Sequence, residues 1–192
     1  MIFLKNQERE KNYINIKITV LGKTLVGKTS LTNRYINYNQ PDDHDPTLTR
    51  IQKFTRINDK NYEIEIFDAD GDEDYQNMLD MWISFGNGFL LVFAINDKSS
   101  FDYIPSKIER IIKKKHDKEF PMILVGNKLD LADNREVSYD EAKKLADFWN
   151  IDYIETSTTT NYNCDEIFDH LTEKIYEFRS KTKRSKCPCS IY

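Results

Sequence analysis

The segment Gly22-Lys23-Thr24-Leu25-Val26-Gly27-Lys28-Thr29 places two glycines five residues apart, with Lys and Thr directly after the second. This is the pattern of a phosphate-cradling loop. Its glycines let the chain curl so that successive backbone N–H groups face the phosphates, and the helix that follows adds the positive end of its dipole. Lys28 is the candidate for the terminal phosphates, and the Thr29 hydroxyl for Mg²⁺. Such a loop takes ATP as readily as GTP. Base choice falls to Asn127-Lys128-Leu129-Asp130, where the Asp130 carboxylate can accept from both the ring N–H and the exocyclic amine of guanine. Adenine offers no such pair. Asn127 can tie this loop to the phosphate loop, while the Lys128 stem can cover one face of the base.

These groups need a scaffold that brings loops to one rim. Ile14 to Leu21 alternates and then runs apolar, as a strand does, and enters the phosphate loop directly. A helix over Thr29 to Asn37 follows, then a polar, Pro-containing loop from Asn37 to Pro46. Ile51 to Ile57 and Tyr62 to Phe67 flank a polar tetrapeptide and predict an antiparallel hairpin. Gly88 to Ile95 and Phe120 to Val125 are continuous apolar runs, expected of strands buried on both faces. Helical faces are marked by Ile104, Ile108, Ile111 and Ile112; by Ala142, Leu145, Ala146 and Trp149 after Ser138; and by Ile167, Phe168, Leu171, Ile175 and Phe178. A short strand at Tyr153 to Glu155 precedes the last of them. The alternation implies a mainly parallel, doubly wound α/β sheet with helices on both faces, whose ligands bind beyond the carboxyl ends of the strands.

Composition bounds the rest. At 192 residues and 39% hydrophobic content the chain fits one domain with one core. A net charge of -4 argues against a general nucleic-acid binder, which needs a basic surface. The tail from Arg179 onward holds five of the 28 basic residues and none of the 32 acidic ones. A basic tail on an acidic body points to a membrane surface. Cys164, Cys187 and Cys189 make neither a disulfide framework nor, with His44, His116 and His170, a zinc site. Met1 to Asn12 lacks a signal-peptide core, and no apolar run approaches the length of a membrane span. Synthesis and retention in the cytosol are therefore expected.

Taken together, the chain resembles a Ras-superfamily small GTPase, nearest the Ras and Rap branch, over about residues 14 to 178. The resemblance adds Asp45-Pro46-Thr47 of a first switch, Asp68-x-x-Gly71 of a second, Gly88 to Phe93, and Glu155-Thr156-Ser157. It implies a six-stranded, mainly parallel sheet with one antiparallel edge strand. It also implies residues 13–178 as the guanine-nucleotide-binding domain, between a polar extension over 1–12 and a flexible basic tail over 179–192. GTP or GDP would be bound by Thr24, Leu25, Val26, Gly27, Lys28, Thr29 and Ser30, by Thr47 and Gly71, by Asn127, Lys128 and Asp130, and by Ser157, Thr158 and Thr159. Mg²⁺ would take Thr29, Thr47 and, through water, Asp68. Exchange factors, GTPase-activating proteins and effectors are the implied partners of a monomer.

Where the sequence departs from that family, the chemistry changes. Asp72 occupies the place of the Gln that orients the attacking water; with Lys28 it is the catalytic candidate, and its shorter, charged arm predicts slow hydrolysis. Asp70 replaces Ala and sets a second carboxylate near the terminal phosphate, which weakens GTP relative to GDP. Gln40 stands where relatives place an aromatic against guanine, with Tyr38 displaced in spacing. Ser157-Thr158-Thr159 lacks a Lys that relatives carry, so faster exchange is expected. Thr24 in place of a glycine is permissive. Thr49 and Arg50 reverse the acidic effector strand and act against standard Ras effectors. Cys189-Ser190-Ile191-Tyr192 resembles a prenylation box, with Cys187 as a second acylation site and an unusual final Tyr. The expected place is the cytoplasmic face of a membrane, the plasma membrane first, or the cytosol if the tail is unmodified. A Ras-like scaffold that holds GDP, or binds nucleotide weakly without cycling, is the alternative; an ATP-using enzyme is a third reading.

Overall fold

The computed structural model describes residues 12–36, 50–68, 76–117 and 119–185. Among them, six strands form one sheet in the order β2-β3-β1-β4-β5-β6. Their ranges are β1 Ile14–Leu21, β2 Arg50–Ile57, β3 Lys60–Asp68, β4 Gly88–Ala94, β5 Met122–Asn127 and β6 Asp152–Glu155. Among the described residues only β2 runs antiparallel, paired with β3 at the edge; the other strand pairs are parallel. The expected mainly parallel sheet with one antiparallel edge strand is therefore the observed one.

The helices are α1 Lys28–Ile36, α2 Gln76–Phe85, α3 Lys98–Asp102, α4 Ile104–Lys115, α5 Tyr139–Trp149 and α6 Glu166–Ser185. They divide between the two sheet faces. Leu31 and Tyr35 of α1 join Ile167, Phe168, Leu171 and Ile175 of α6 against Ile16, Ile18, Leu90 and Val125. On the other face, Trp82 and Ile83 of α2, Phe101 of α3, Ile104, Ile108 and Ile111 of α4, and Ala142 and Ala146 of α5 pack on Phe89, Leu91, Phe93 and Leu124. Every residue of β4 and β5 is buried, which is why both read as unbroken apolar runs.

Local chemistry sets the element ends. Asn58 and Asp59 close the β2–β3 hairpin with φ of 45° and 62°, so Ile57 pairs directly with Lys60. The expected four-residue connection is thus a two-residue turn, whose left-handed pair matches the twist of the strands. Ser138 caps α5 by accepting from the Glu141 N–H at 3.2 Å, and Asn150 ends it at φ 54°. Three further helical segments lie outside the elements expected from the sequence: α2, the five-residue α3, and a 3-10 turn over Leu129–Asn134.

The last helix runs past Phe178 to Ser185, so the segment read as a tail begins inside it. Arg179 is held there. Its guanidinium donates to the Asn15 carbonyl at 2.6 Å and to the Asn87 side-chain oxygen. No helix among the described residues is long and apolar enough to cross a membrane.

Register fixes what meets at the rim. Val20 lies opposite Asp68, Ala94 opposite Asn127 and Gly126 opposite Glu155. The carboxyl ends of β1, β3, β5 and β6 therefore deliver the phosphate loop, Asp68, the base loop and Thr156-Ser157 to one edge of the sheet.

Candidate functional site

The two glycines of the phosphate loop are required by close approach. A Cβ on Gly22 would lie 2.1 Å from the Val92 carbonyl oxygen, a backbone atom that cannot yield. Gly27, at φ 96°, would meet the Asn127 amide nitrogen at 2.3 Å. Leu25 between them is also left-handed, at φ 65°, and its side chain is 85% exposed. Lys28 is buried, 4% exposed, and its ammonium donates to the Lys23 carbonyl at 3.1 Å. Thr24, Thr29 and Ser30 lie at the surface, and Val26 is buried.

The Thr29 hydroxyl donates to the Asp68 carboxylate. Two of the three residues expected at Mg²⁺ thus meet through hard oxygen atoms, although one belongs to α1 and the other to the end of β3. That donor set fits Mg²⁺, which keeps most of its waters and takes one or two protein oxygens. No cluster of three or more His, Cys, Asp or Glu able to hold a metal occurs among the described residues.

Asn127 is fully buried and works in two directions. Its amide donates to the Val26 carbonyl at 2.8 Å, and its oxygen accepts from the Thr156 hydroxyl at 3.1 Å. One side chain thus joins the phosphate loop to the loop after β6. Lys128 turns left-handed at φ 67°, and Leu129 then donates its N–H to the Thr156 carbonyl at 3.0 Å. These contacts present Asp130 at the surface. Its two oxygens accept from Ser157 at 2.6 Å and Thr159 at 3.1 Å. The Ser157 bond, more than any other contact, holds this carboxyl below the ordinary range. Thr159 stands where a Lys was missed in the sequence, and it supplies a hydroxyl to the base-reading carboxylate instead. Thr158 is half-buried beside it.

Arg135, Tyr153 and Cys164 support the site although they carried no motif. Arg135 forms a forked pair with Glu155 at 2.6 and 3.0 Å, and the Tyr153 hydroxyl donates to the same carboxylate at 2.7 Å. Glu155 directly precedes Thr156, so the fork steadies the start of the base-side loop. Cys164 lies buried against the Ser157 carbonyl at 3.3 Å, and burial pushes its thiol up to about 11. An Arg after a 3-10 turn or a Cys before a helix has no sequence signature; only the fold brings them here.

Thr47, Gly71, Asp70 and Asp72 of the two switches lie outside the described residues, as do Tyr38, Gln40, Pro46, Thr49, Cys187 and Cys189. Arg50 begins β2, and its backbone pairs with Phe67.

Comparison with known proteins agrees with this geometry. The chain matches the Ras family over residues 17–177. It is similar to Ras-like protein RAS2 of Hydra vulgaris, 38% identical over 180 residues covering 89% of this chain and 94% of that one. Ras-like protein 2 of Drosophila melanogaster is 38% identical over 164 residues, 85% of each chain. The mouse Ras-related protein R-Ras is 32% identical over 187 residues, 91% of this chain and 86% of its own. With the phosphate loop, the base loop and the Asp68 rim drawn together on a sheet of this order, the chain belongs to the Ras family of small GTPases, the signalling switches that bind guanine nucleotide.

Proposed function

We propose that this protein is a slow guanine-nucleotide switch, binding GDP and GTP with Mg²⁺ and depending on helper proteins for exchange and turnover. The observation that carries the reading is the buried Asn127 bridge, which couples the loop suited to phosphate with the loop suited to guanine. Thr29 and Asp68 would hold Mg²⁺, with Thr47 as the third group. The ion would neutralise charge on the terminal phosphates. Lys28 would supply the fixed positive charge. Asp72 in place of Gln supports slow hydrolysis, because a short carboxylate beside a triphosphate is a poor orienter of water. Asp70 supports a preference for GDP.

The basic tail with Cys187 and Cys189 would anchor the protein at the cytoplasmic face of a membrane, one lipid and one polybasic stretch giving the two signals that stable anchoring takes. Thr49 and Arg50 would direct it to effectors other than those with basic docking faces.

The test is paired measurement of GDP and GTP affinity on purified protein, followed by Mg²⁺-dependent hydrolysis. Micromolar or tighter binding of both, GDP the stronger, with turnover slower than is usual for the family, is the expected result. Binding of GDP alone would mark a non-cycling scaffold, and binding of neither would sink the switch. Mass spectrometry of the native carboxyl terminus checks the anchor, an unmodified end at Tyr192 counting against it.

A further inference from the structure

The phosphate loop carries a second lysine, and its side chain reaches out of the loop. The Lys23 ammonium donates to the Ser99 hydroxyl at 2.8 Å, and that hydroxyl donates onward to the Asp97 carboxylate at 2.5 Å. Asp97 is in turn the N-cap of α3, accepting from the Ser100 N–H at 3.2 Å. A serine hydroxyl has one proton to give and lone pairs to receive, so Ser99 can accept from the ammonium and donate to the carboxylate at once.

Both ends of this bridge connect to the site. The carbonyl of Lys23 is the one that accepts the Lys28 ammonium, at 3.1 Å. A pull on the Lys23 side chain therefore moves the acceptor that holds the principal phosphate lysine. At the other end, the segment before α3 is fastened to the base side. The Ile95 N–H donates to the Asn127 carbonyl at 3.0 Å, the Val137 N–H to the Ile95 carbonyl at 3.0 Å, and the Lys98 N–H to the Glu136 carboxylate at 2.8 Å. The stretch from Ile95 to Ser99 thus touches the phosphate loop, the end of β5 and the residues that follow the base loop.

We propose that Lys23 and Ser99 form a positioning bridge that sets the phosphate loop against the start of α3 and so governs how long bound guanine nucleotide is retained. The inference rests on the nucleotide-binding reading given above. Lys23 acts here through geometry and not as a phosphate ligand, because its ammonium is engaged by Ser99 and, through it, by Asp97.

That distinction makes the bridge testable on the full-length protein loaded with a fluorescent N-methylanthraniloyl-GDP and chased with unlabelled GDP in Mg²⁺. Ser99→Ala removes the bridging hydroxyl and leaves the Lys23 charge in place; Lys23→Met removes the ammonium and keeps the stem. Each should speed release about threefold, and the double variant should also be about threefold faster, since both changes break one connection. Lys23→Arg and Ser99→Thr, which keep a donor and a hydroxyl, should return release to near the parent rate. Release unchanged in Ser99→Ala, or a double variant equal to the product of the singles, would overturn the bridge and make Lys23 an independent contact or a bystander. A parent protein that retains no guanine nucleotide would instead sink the reading on which the bridge stands. The residues are exposed or half-exposed, and unchanged melting temperatures would show that the variants fold.

Discussion

Asn127 reaches from the end of β5 to the Val26 carbonyl at 2.8 Å, and Gly27 leaves it the room to do so. A Cβ at Gly27 would stand 2.3 Å from the amide nitrogen, so the glycine and the asparagine are two halves of one contact. Asn127→Ala would strand a buried carbonyl and the Thr156 hydroxyl, a loss of about 1–3 kcal/mol for each group left unsatisfied. The expected outcome is a clear fall in melting temperature together with at least a tenfold loss of guanine-nucleotide affinity, read by thermal melts and titration. Stability that falls with affinity intact would separate the two loops functionally.

Leu25 holds a left-handed backbone without a glycine's freedom. That conformation costs roughly 1–2 kcal/mol for a residue with a Cβ, against about 0.5–1 kcal/mol of extra chain entropy lost when glycine replaces it. With its side chain 85% exposed, little packing is at stake. Leu25→Gly should raise the melting temperature of the nucleotide-free protein by about 1–2 °C, given that 1 kcal/mol corresponds to about 2–4 °C at this size. Differential scanning calorimetry would read it.

Arg179 joins α6 to the beginning of β1 and to Asn87, so the end of the domain lies beyond the last apolar residue of its helix pattern. A chain ending at Phe178 loses a charged donor to the Asn15 carbonyl, worth about 1.5–3 kcal/mol for such a bond. It should melt several degrees lower than the full chain. A chain ending at Lys186 should melt with the parent. Equal melting of all three would remove the structural role of Arg179.

Asp130 has its carboxyl held low chiefly by the Ser157 hydroxyl. A carboxylate whose folded value is depressed contributes stability that is present above the unfolded value, about 3.9, and is lost as pH falls through the folded one. The nucleotide-free protein should therefore lose part of its stability below about pH 4 on account of this group. Asp130→Asn should flatten that acid limb in melts between pH 3 and 6, and should leave the neutral-pH slope unchanged. An acid limb as steep in the variant as in the parent would place the sensitivity in other carboxylates.

The sites that could be seen in the chain are those whose chemistry is local. Gly22 to Thr29 is legible because a phosphate loop is built from consecutive backbone groups, and Ser138 because a helix cap acts within one turn. β4 and β5 announce themselves because burial on both faces demands unbroken apolar side chains. By contrast, α3 is too short to show a period. Arg135 with Glu155, and Lys23 with Ser99, pair residues 20 and 76 positions apart, and no local pattern records such partners. Thr159 is the instructive case. In the sequence it is a missing lysine; in the fold its hydroxyl meets Asp130.

By itself the sequence determined the six strands, the helices α1, α4, α5 and α6, the loop suited to phosphate, and the carboxylate suited to guanine, because each depends on residue type at short spacing. The tertiary structure alone decided that the Thr29 hydroxyl donates to Asp68, that Asn127 also accepts from Thr156, and that the final helix runs on through Arg179. Those contacts depend on strand register and on which helix covers which face of the sheet. They come from packing the whole chain at once, a property that no single stretch of residues carries.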